Sequence, residues 1–278
     1  IVKRGVMRFF RPREHERSVR CRGRFSGRSV QRRGASARQA LCSQAMPVMD
    51  DASRTTVVDR MRGQGARVHV PIGGECNNYC LFCMEADRAS RARAAKRMTA
   101  ARVRELLAAQ RGVEEVCCAS GEPTMRPELG LLVRWARESG CARVSLMTNG
   151  RRLAYAPYLA SLVDAGLRRV YVSIHGDHRA LHEGLTRAPG SFEQTVAGLR
   201  NVAKLVSGGM ELHTTTVLTT RNLGRLCELR EQLEQMGVGQ AVFTAMQLAP
   251  RPEGGVSGLM PRYREIREAF ARMIAAMP

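Results

Sequence analysis

Aromatic side chains are scarce in this chain, at 5% of 278 residues with a single tryptophan, Trp135. A groove that stacks successive bases of a single strand on aromatic rings has little to be built from. Acidic residues are also few, 25 against 45 Lys and Arg, for a net charge of +20. No apolar run approaches the roughly 20 residues that cross a bilayer, which excludes a membrane-spanning helix. The nine cysteines are too thinly spread for a disulfide scaffold, and their number is odd. That usage points to a reducing compartment, expected to be the cytoplasm, with any special thiol serving metal or chemistry.

The basic excess is unevenly placed. Residues 1–45 hold 13 Lys and Arg against 2 acids, so more than half of the surplus sits on a short leader. Residues 1–60 have no sustained helical or strand period and are expected to be a disordered basic arm, with 61–278 as the folded core. An early start site is the other bland reading, since Met46 or Met49 stands close before the first structured element. Organellar targeting and a nucleic-acid tail are the alternatives. A secretory signal is not, because no apolar stretch follows the basic part.

From residue 67 onward, short apolar runs alternate with amphipathic segments. Strands are expected at 67–72, 113–119, 143–147, 170–174, 211–218 and 240–247. Helices are expected at 99–110, from 127 to a stop at Gly140, and at 155–165. Others follow from a Ser191-to-Gln194 capping box to about Leu205, at 222–236 and at 261–277. Repeats of βα at about 30-residue spacing require a parallel sheet joined by right-handed crossovers. Six strands are too few for the eight-stranded closed form, so the expected fold is α/β, a partial (β/α)6 barrel with chemistry at the strand C-terminal ends.

The loop after the first strand carries Cys76, Cys80 and Cys83 at C-x3-C-x2-C spacing. A structural zinc site takes four ligands, so three thiols leave one unmet. On a four-iron cube, three thiolates leave one iron open for a small molecule.

With Phe82 supplying an aromatic before the third thiol, this loop resembles the C-x3-C-x-aromatic-C signature of the radical S-adenosylmethionine (SAM) superfamily. Ser120-Gly121-Glu122-Pro123 ends the second strand and resembles that family's G-G-E-P turn, with Ser120 departing from the first Gly. Thr148-Asn149-Gly150 and Val172-Ser173-Ile174 end the third and fourth strands, and resemble SAM-pocket segments at those places.

The resemblance implies a [4Fe-4S] cluster on the three cysteines, with SAM on the fourth iron and cleaved reductively to a 5′-deoxyadenosyl radical. That radical would abstract hydrogen from a small-molecule, peptide or RNA substrate. The resemblance also implies SAM contacts from Phe82, Gly121, Glu122, Pro123, Thr148, Asn149, Ser173 and Met246. Glu122 is expected to accept from the methionine ammonium and Ser173 to touch the ribose. An external flavodoxin- or ferredoxin-type electron donor is implied as well, and no membrane.

Each assignment has a plainer reading. Thr148-Asn149-Gly150 also reads as an Asn-Gly turn, Ser173 as a strand-end cap and Met246 as core. Cys117 and Cys118 read as buried bystanders, and His69 as a satisfied interior histidine. His175, His178 and His182 read as solvated loop residues. Arg88, Arg91, Arg93, Lys96 and Arg97 read as a solvated helix face. Two rival functions stand beside the enzyme: a cluster- or zinc-stabilised RNA-binding protein using the basic leader, and a scaffold that binds SAM without turnover.

Overall fold

The computed structural model describes residues 6–10, 67–85, 87–110, 112–247 and 257–277. Residues 1–5 and 11–60 of the basic leader, with Cys21, Cys42, Met46 and Met49, lie outside the described residues.

Seven strands form one sheet: β1 (Val6–Phe10), β2 (Arg67–Pro71), β3 (Glu115–Ala119), β4 (Arg143–Thr148), β5 (Leu167–Ser173), β6 (Glu211–Leu218) and β7 (Gln240–Ala245). Their order is β1-β7-β6-β5-β4-β3-β2, so β2 to β7 lie side by side in chain order. Those six pair parallel throughout, as the βα spacing requires, and give the expected α/β partial barrel. The leader, read as lacking strand period, contributes β1, which pairs antiparallel with β7. Its Val-Met-Arg-Phe-Phe run is too short to register as a periodic pattern, and an edge strand offers it open backbone groups.

Helices α1 (Arg88–Arg97), α2 (Ala100–Ala108), α3 (Leu129–Glu138) and α4 (Ala156–Asp164) occupy the first half of the core. Helices α5 (Arg179–Thr186), α6 (Ser191–Ala203), α7 (Leu226–Gln235) and α8 (Tyr263–Ala275) follow. Thr99 caps α2 by accepting from the Arg102 N–H at 3.2 Å. The capping box read at Ser191 does not form. Gly190, at φ +74°, is the N-cap residue of α6, and the buried Ser191 hydroxyl instead meets Thr186 Oγ1 at 2.9 Å.

The sheet has two unlike faces. Val116, Cys118, Val144, Leu146, Val170, Val172, Leu212 and Phe243 point to the helices, where Leu129, Leu132, Leu159, Leu199 and Leu229 meet them in one core. Each Val, Leu or Phe side chain among them contributes roughly 1.5–3 kcal/mol by leaving water. The opposite face is polar at the strands' N-terminal end, where register sets Arg67, Glu115 and Arg143 side by side. Arg169 donates to Glu115 and, at 3.0 Å, to Glu211. Ser145 and Tyr171 hydroxyls add bonds to Glu115 at 2.6 and 3.2 Å. His69, expected inside, is exposed on β2, because that strand is the sheet's outer edge.

Candidate functional site

The polar groups at the other end of the strands gather around the loop 73–85. Gly121 lets that loop come close. Its φ is +52°, and a Cβ there would collide with the Glu75 carbonyl. That carbonyl accepts from the Glu122 N–H at 2.6 Å, which fastens the loop to the end of β3. Ser120, at φ +77°, takes a left-handed conformation that a non-Gly residue adopts at some cost. Glu85 holds it there, accepting from Ser120 Oγ and from the Gly121 N–H, both at 2.8 Å.

Glu122 is the buried hub. Its Oε1 accepts from the Thr124 N–H at 3.0 Å and from the Thr124 and Thr148 hydroxyls at 2.6 Å each. Its Oε2 accepts from the Asn149 N–H at 2.6 Å. Burial raises its pKa, opposed by these donors. Pro123 opens the one-turn helix that Glu122 caps. Glu122, Thr148 and Asn149 therefore form one hydrogen-bonded unit, with Gly121 and Pro123 flanking Glu122 in the chain. The Asn149 Nδ2 carries it into the cysteine loop by donating to Asn77 Oδ1 at 2.6 Å.

The loop itself is held at both ends. Arg151 donates to the Asn77 carbonyl at 2.6 Å and to Asn78 Oδ1 at 3.0 Å. Further along, the Tyr79 and Leu81 N–H groups donate to the Thr186 and Leu185 carbonyls at 2.8 and 2.9 Å. Those are terminal carbonyls of α5, which no following turn of the helix can use. Phe82 is buried among Leu185, Met246 and Leu259, and its ring meets the His175 ring edge-on at 4.5 Å. Met246, just past β7, thus belongs to the apolar seat beneath the loop. Ser173 ends β5 half-buried, and its hydroxyl has no hydrogen-bond partner among the described residues.

His175 and His182, read as loop residues, are instead buried, the second on α5. The His175 N–H donates to His182 Nδ1 at 3.2 Å, and His175 Nδ1 accepts from the Val217 N–H at 3.3 Å. Burial lowers both pKa values, that of His182 to about 4, so both rings are neutral near pH 7. The eight-residue α5 escapes a periodicity search because it is short and contains Gly184. His178 alone of the three is open to solvent, beside Asp177 at 2.9 Å. Sequence reasoning also passed over Asn77, Glu85 and Arg151, whose roles depend on partners far away in the chain.

Cys76, Cys80 and Cys83 are half-buried and form no disulfide among the described residues. The Asn78 N–H donates to Cys76 Sγ at 3.4 Å. Burial pushes Cys80 up to about 12, and the Cys83 and Cys76 thiols add to the effect. Burial also raises Cys76, where the Asn78 N–H opposes it. Cys80 therefore lies close enough to both other thiols to feel them. Yet among the described residues no three His, Cys, Asp or Glu converge closely enough to hold a single metal ion. One zinc needs all its ligands about 2.0–2.3 Å from one point, whereas a cube distributes its thiolates over separate irons. This donor set, all sulfur and three in number, fits an iron–sulfur cube better than one ion.

Cys117 and Cys118 are fully buried. The basic stretch after the loop lies on α1, which Asp87 caps, and Arg93, Lys96 and Arg97 are exposed. No helix of the described residues is long and apolar enough to cross a membrane.

The sequence model of the Radical SAM superfamily matches residues 70–233. A probable GTP 3′,8-cyclase of Methanopyrus kandleri is 32% identical over 201 residues, 71% of this chain and 60% of that protein. An AdoMet-dependent heme synthase of Methanosarcina barkeri is 29% identical over 184 residues, 66% of this chain and 50% of that protein. The chain thus spans 60% and 50% of the length of these two relatives. Among solved structures, Streptococcus suis SuiB bound to S-adenosylmethionine superposes with a TM-score of 0.55 at 15% identity, covering 83% of this chain and 55% of that one. At that identity the likeness shows the fold.

Proposed function

The chain belongs to the radical SAM superfamily, whose cofactors are a [4Fe-4S] cluster and SAM, and from that premise we propose that it cleaves SAM reductively. Cys76, Cys80 and Cys83 hold the cluster, and the cofactor end of the strands receives SAM. When bound and reduced by one electron, this pair supplies homolysis of SAM to methionine and a 5′-deoxyadenosyl radical that takes hydrogen from a substrate carbon.

The chain's own residues place and shield. The left-handed Ser120-Gly121 turn lets the cysteine loop lie against the end of β3, so the methionine end of SAM meets the loop and Glu122 together. Glu122 keeps one lone-pair site on Oε2 beyond its four internal donors, which suits a single charge-assisted bond from the ammonium. Thr148 and Asn149 hold that carboxylate in place. The unpartnered Ser173 hydroxyl serves the ribose, while Phe82 and Met246 provide an apolar wall that keeps water off. The electron comes from an external acidic donor of the flavodoxin or ferredoxin kind, and the working compartment is the cytoplasm.

The observation that carries this reading is the joining of the three-thiol loop to the Glu122 hub through Asn77 and Asn149. The two relatives are named for different reactions, so the likeness supports the radical-forming core. Anaerobic reconstitution tests it. The expected result is about four irons per chain and 5′-deoxyadenosine formed from SAM with dithionite. Zinc alone in the purified protein, or cluster without any SAM cleavage, overturns it.

A further inference from the structure

A cleft of about 540 Å³ opens beside the cysteine loop, lined by Asn77, Arg151, Arg152, Tyr155, Pro157 and Tyr158 among others. Asn77 is the neighbour of Cys76 in the chain, so the cleft floor is the outer side of the loop that carries the thiols. Arg151 grips that floor through the Asn77 carbonyl. Arg152 lies over the Tyr158 ring at 4.6 Å, which fixes its plane without neutralising it. No carboxylate lines the cleft, and among the described residues neither arginine has an acidic partner. Arg179 and Arg225 on the surface each stand against one, whereas Arg93 and Arg97 on α1 do not among the described residues, so what sets Arg151 and Arg152 apart is their place in a concave wall beside the cysteine loop. Tyr155 projects from the rim, 67% exposed, with Pro157 exposed beside it.

We propose that this cleft is the docking surface of an acidic one-electron donor protein, seated on Arg151, Arg152 and Tyr155. The proposal rests on the reading that the three cysteines hold a redox cluster. Arginine and tyrosine are the residue types that anchor interfaces, because each brings large area and directional bonding at small entropic cost. Uncompensated cations on a chain of net charge +20 attract an acidic surface at long range and orient it on arrival. Electron-transfer encounters are small and short-lived, generally below about 1,200 Å² in total, so a broad apolar face is not required. The open cleft and projecting Tyr155 suit a protein face better than an enclosed small anion. The step is simple to balance. One electron leaves the donor, which is oxidised, and enters the cluster, which is reduced, and no bond forms or breaks.

The test uses the full chain, anaerobically reconstituted and without SAM, mixed in a stopped-flow instrument with reduced flavodoxin or with dithionite while cluster absorbance is followed. Expected for wild type is a flavodoxin-driven rate that falls steeply with added salt. Arg152→Glu should lower that rate at least about tenfold, in keeping with the size of steering effects. Because Arg152 also donates to the Thr124 carbonyl, a fold-neutral companion is needed. Tyr155→Glu serves, since its side chain makes no hydrogen bond among the described residues. It should lower the flavodoxin rate severalfold and leave the dithionite rate unchanged. A flavodoxin rate indifferent to both substitutions, or Tyr155→Glu losses equal with both reductants, overturns the docking surface alone. A wild-type chain that takes up no cluster overturns the proposed function together with it.

Discussion

The two ends of the parallel strands hold polar groups in opposite ways. At the N-terminal end, Glu115, Arg169, Glu211, Arg67 and Arg143 are strand residues that answer one another across the sheet. At the C-terminal end, Glu122, Thr148, Asn149 and Asn77 are tied through a mixture of loop amides, hydroxyls and a side-chain amide, with one carboxylate among them, and valences are left over at Glu122 and Ser173. A charge network closed on itself has little to offer a ligand. A lone carboxylate held by neutral amides and hydroxyls keeps a valence free. The same sheet therefore spends its charges on cohesion at one end and on reception at the other.

Substitutions can break this contrast. Cys80→Ala at the receiving end should reduce cluster-bound iron and 5′-deoxyadenosine formation to background, measured by iron assay and chromatography, with helix content by circular dichroism unchanged. Arg169→Met at the other end should do the reverse. Removing one partner of a buried ion pair costs about 3–5 kcal/mol, read from a urea midpoint, while SAM affinity per folded molecule stays at the wild-type value.

Acid sharpens the comparison. The folded pKa of His182, depressed to about 4, lies below its unfolded value of 6.5. Between those values the unfolded chain binds a proton that the folded chain refuses, so stability falls as pH drops from 6.5 towards 4. The full loss is about 3 kcal/mol. Urea midpoints at pH 7 and pH 4.5 check it, and His182→Gln should flatten the slope. The smallest expected effect is that of Glu122→Gln. The amide places a donor against one of the hub's four donors, at a cost of about 1–3 kcal/mol, and should weaken SAM binding about tenfold by equilibrium dialysis.

Much of the barrel was readable because its signals are local. Leu129, Leu132, Val133 and Ala136 recur at helical spacing, and all four are buried on α3. Alternation along 211–218 puts Leu212, Thr214, Thr216 and Leu218 inside, as a strand should. The three thiols stood out by their spacing, while the cluster proposed for them came from the resemblance. What escaped depends on partners distant in sequence. Glu85 looks like an ordinary loop acid until folding brings Gly121 to it, 36 residues on. Arg151 meets Asn77 across 74 residues. His175 and His182 read as wet because their neighbours are polar, whereas their burial is set by Phe82 and Phe192 from other elements. Local pattern reports which residues face a core; it does not report which loop is laid over which helix end.

The backbone bonds from Tyr79 and Leu81 to the closing carbonyls of α5 carry a consequence for assembly. Protein amides, present from the moment the chain folds, already fix the path of the cysteine segment. Loading with iron and sulfide then resembles filling a mould rather than casting one, and the entropy of ordering that segment is spent before the inorganic parts arrive.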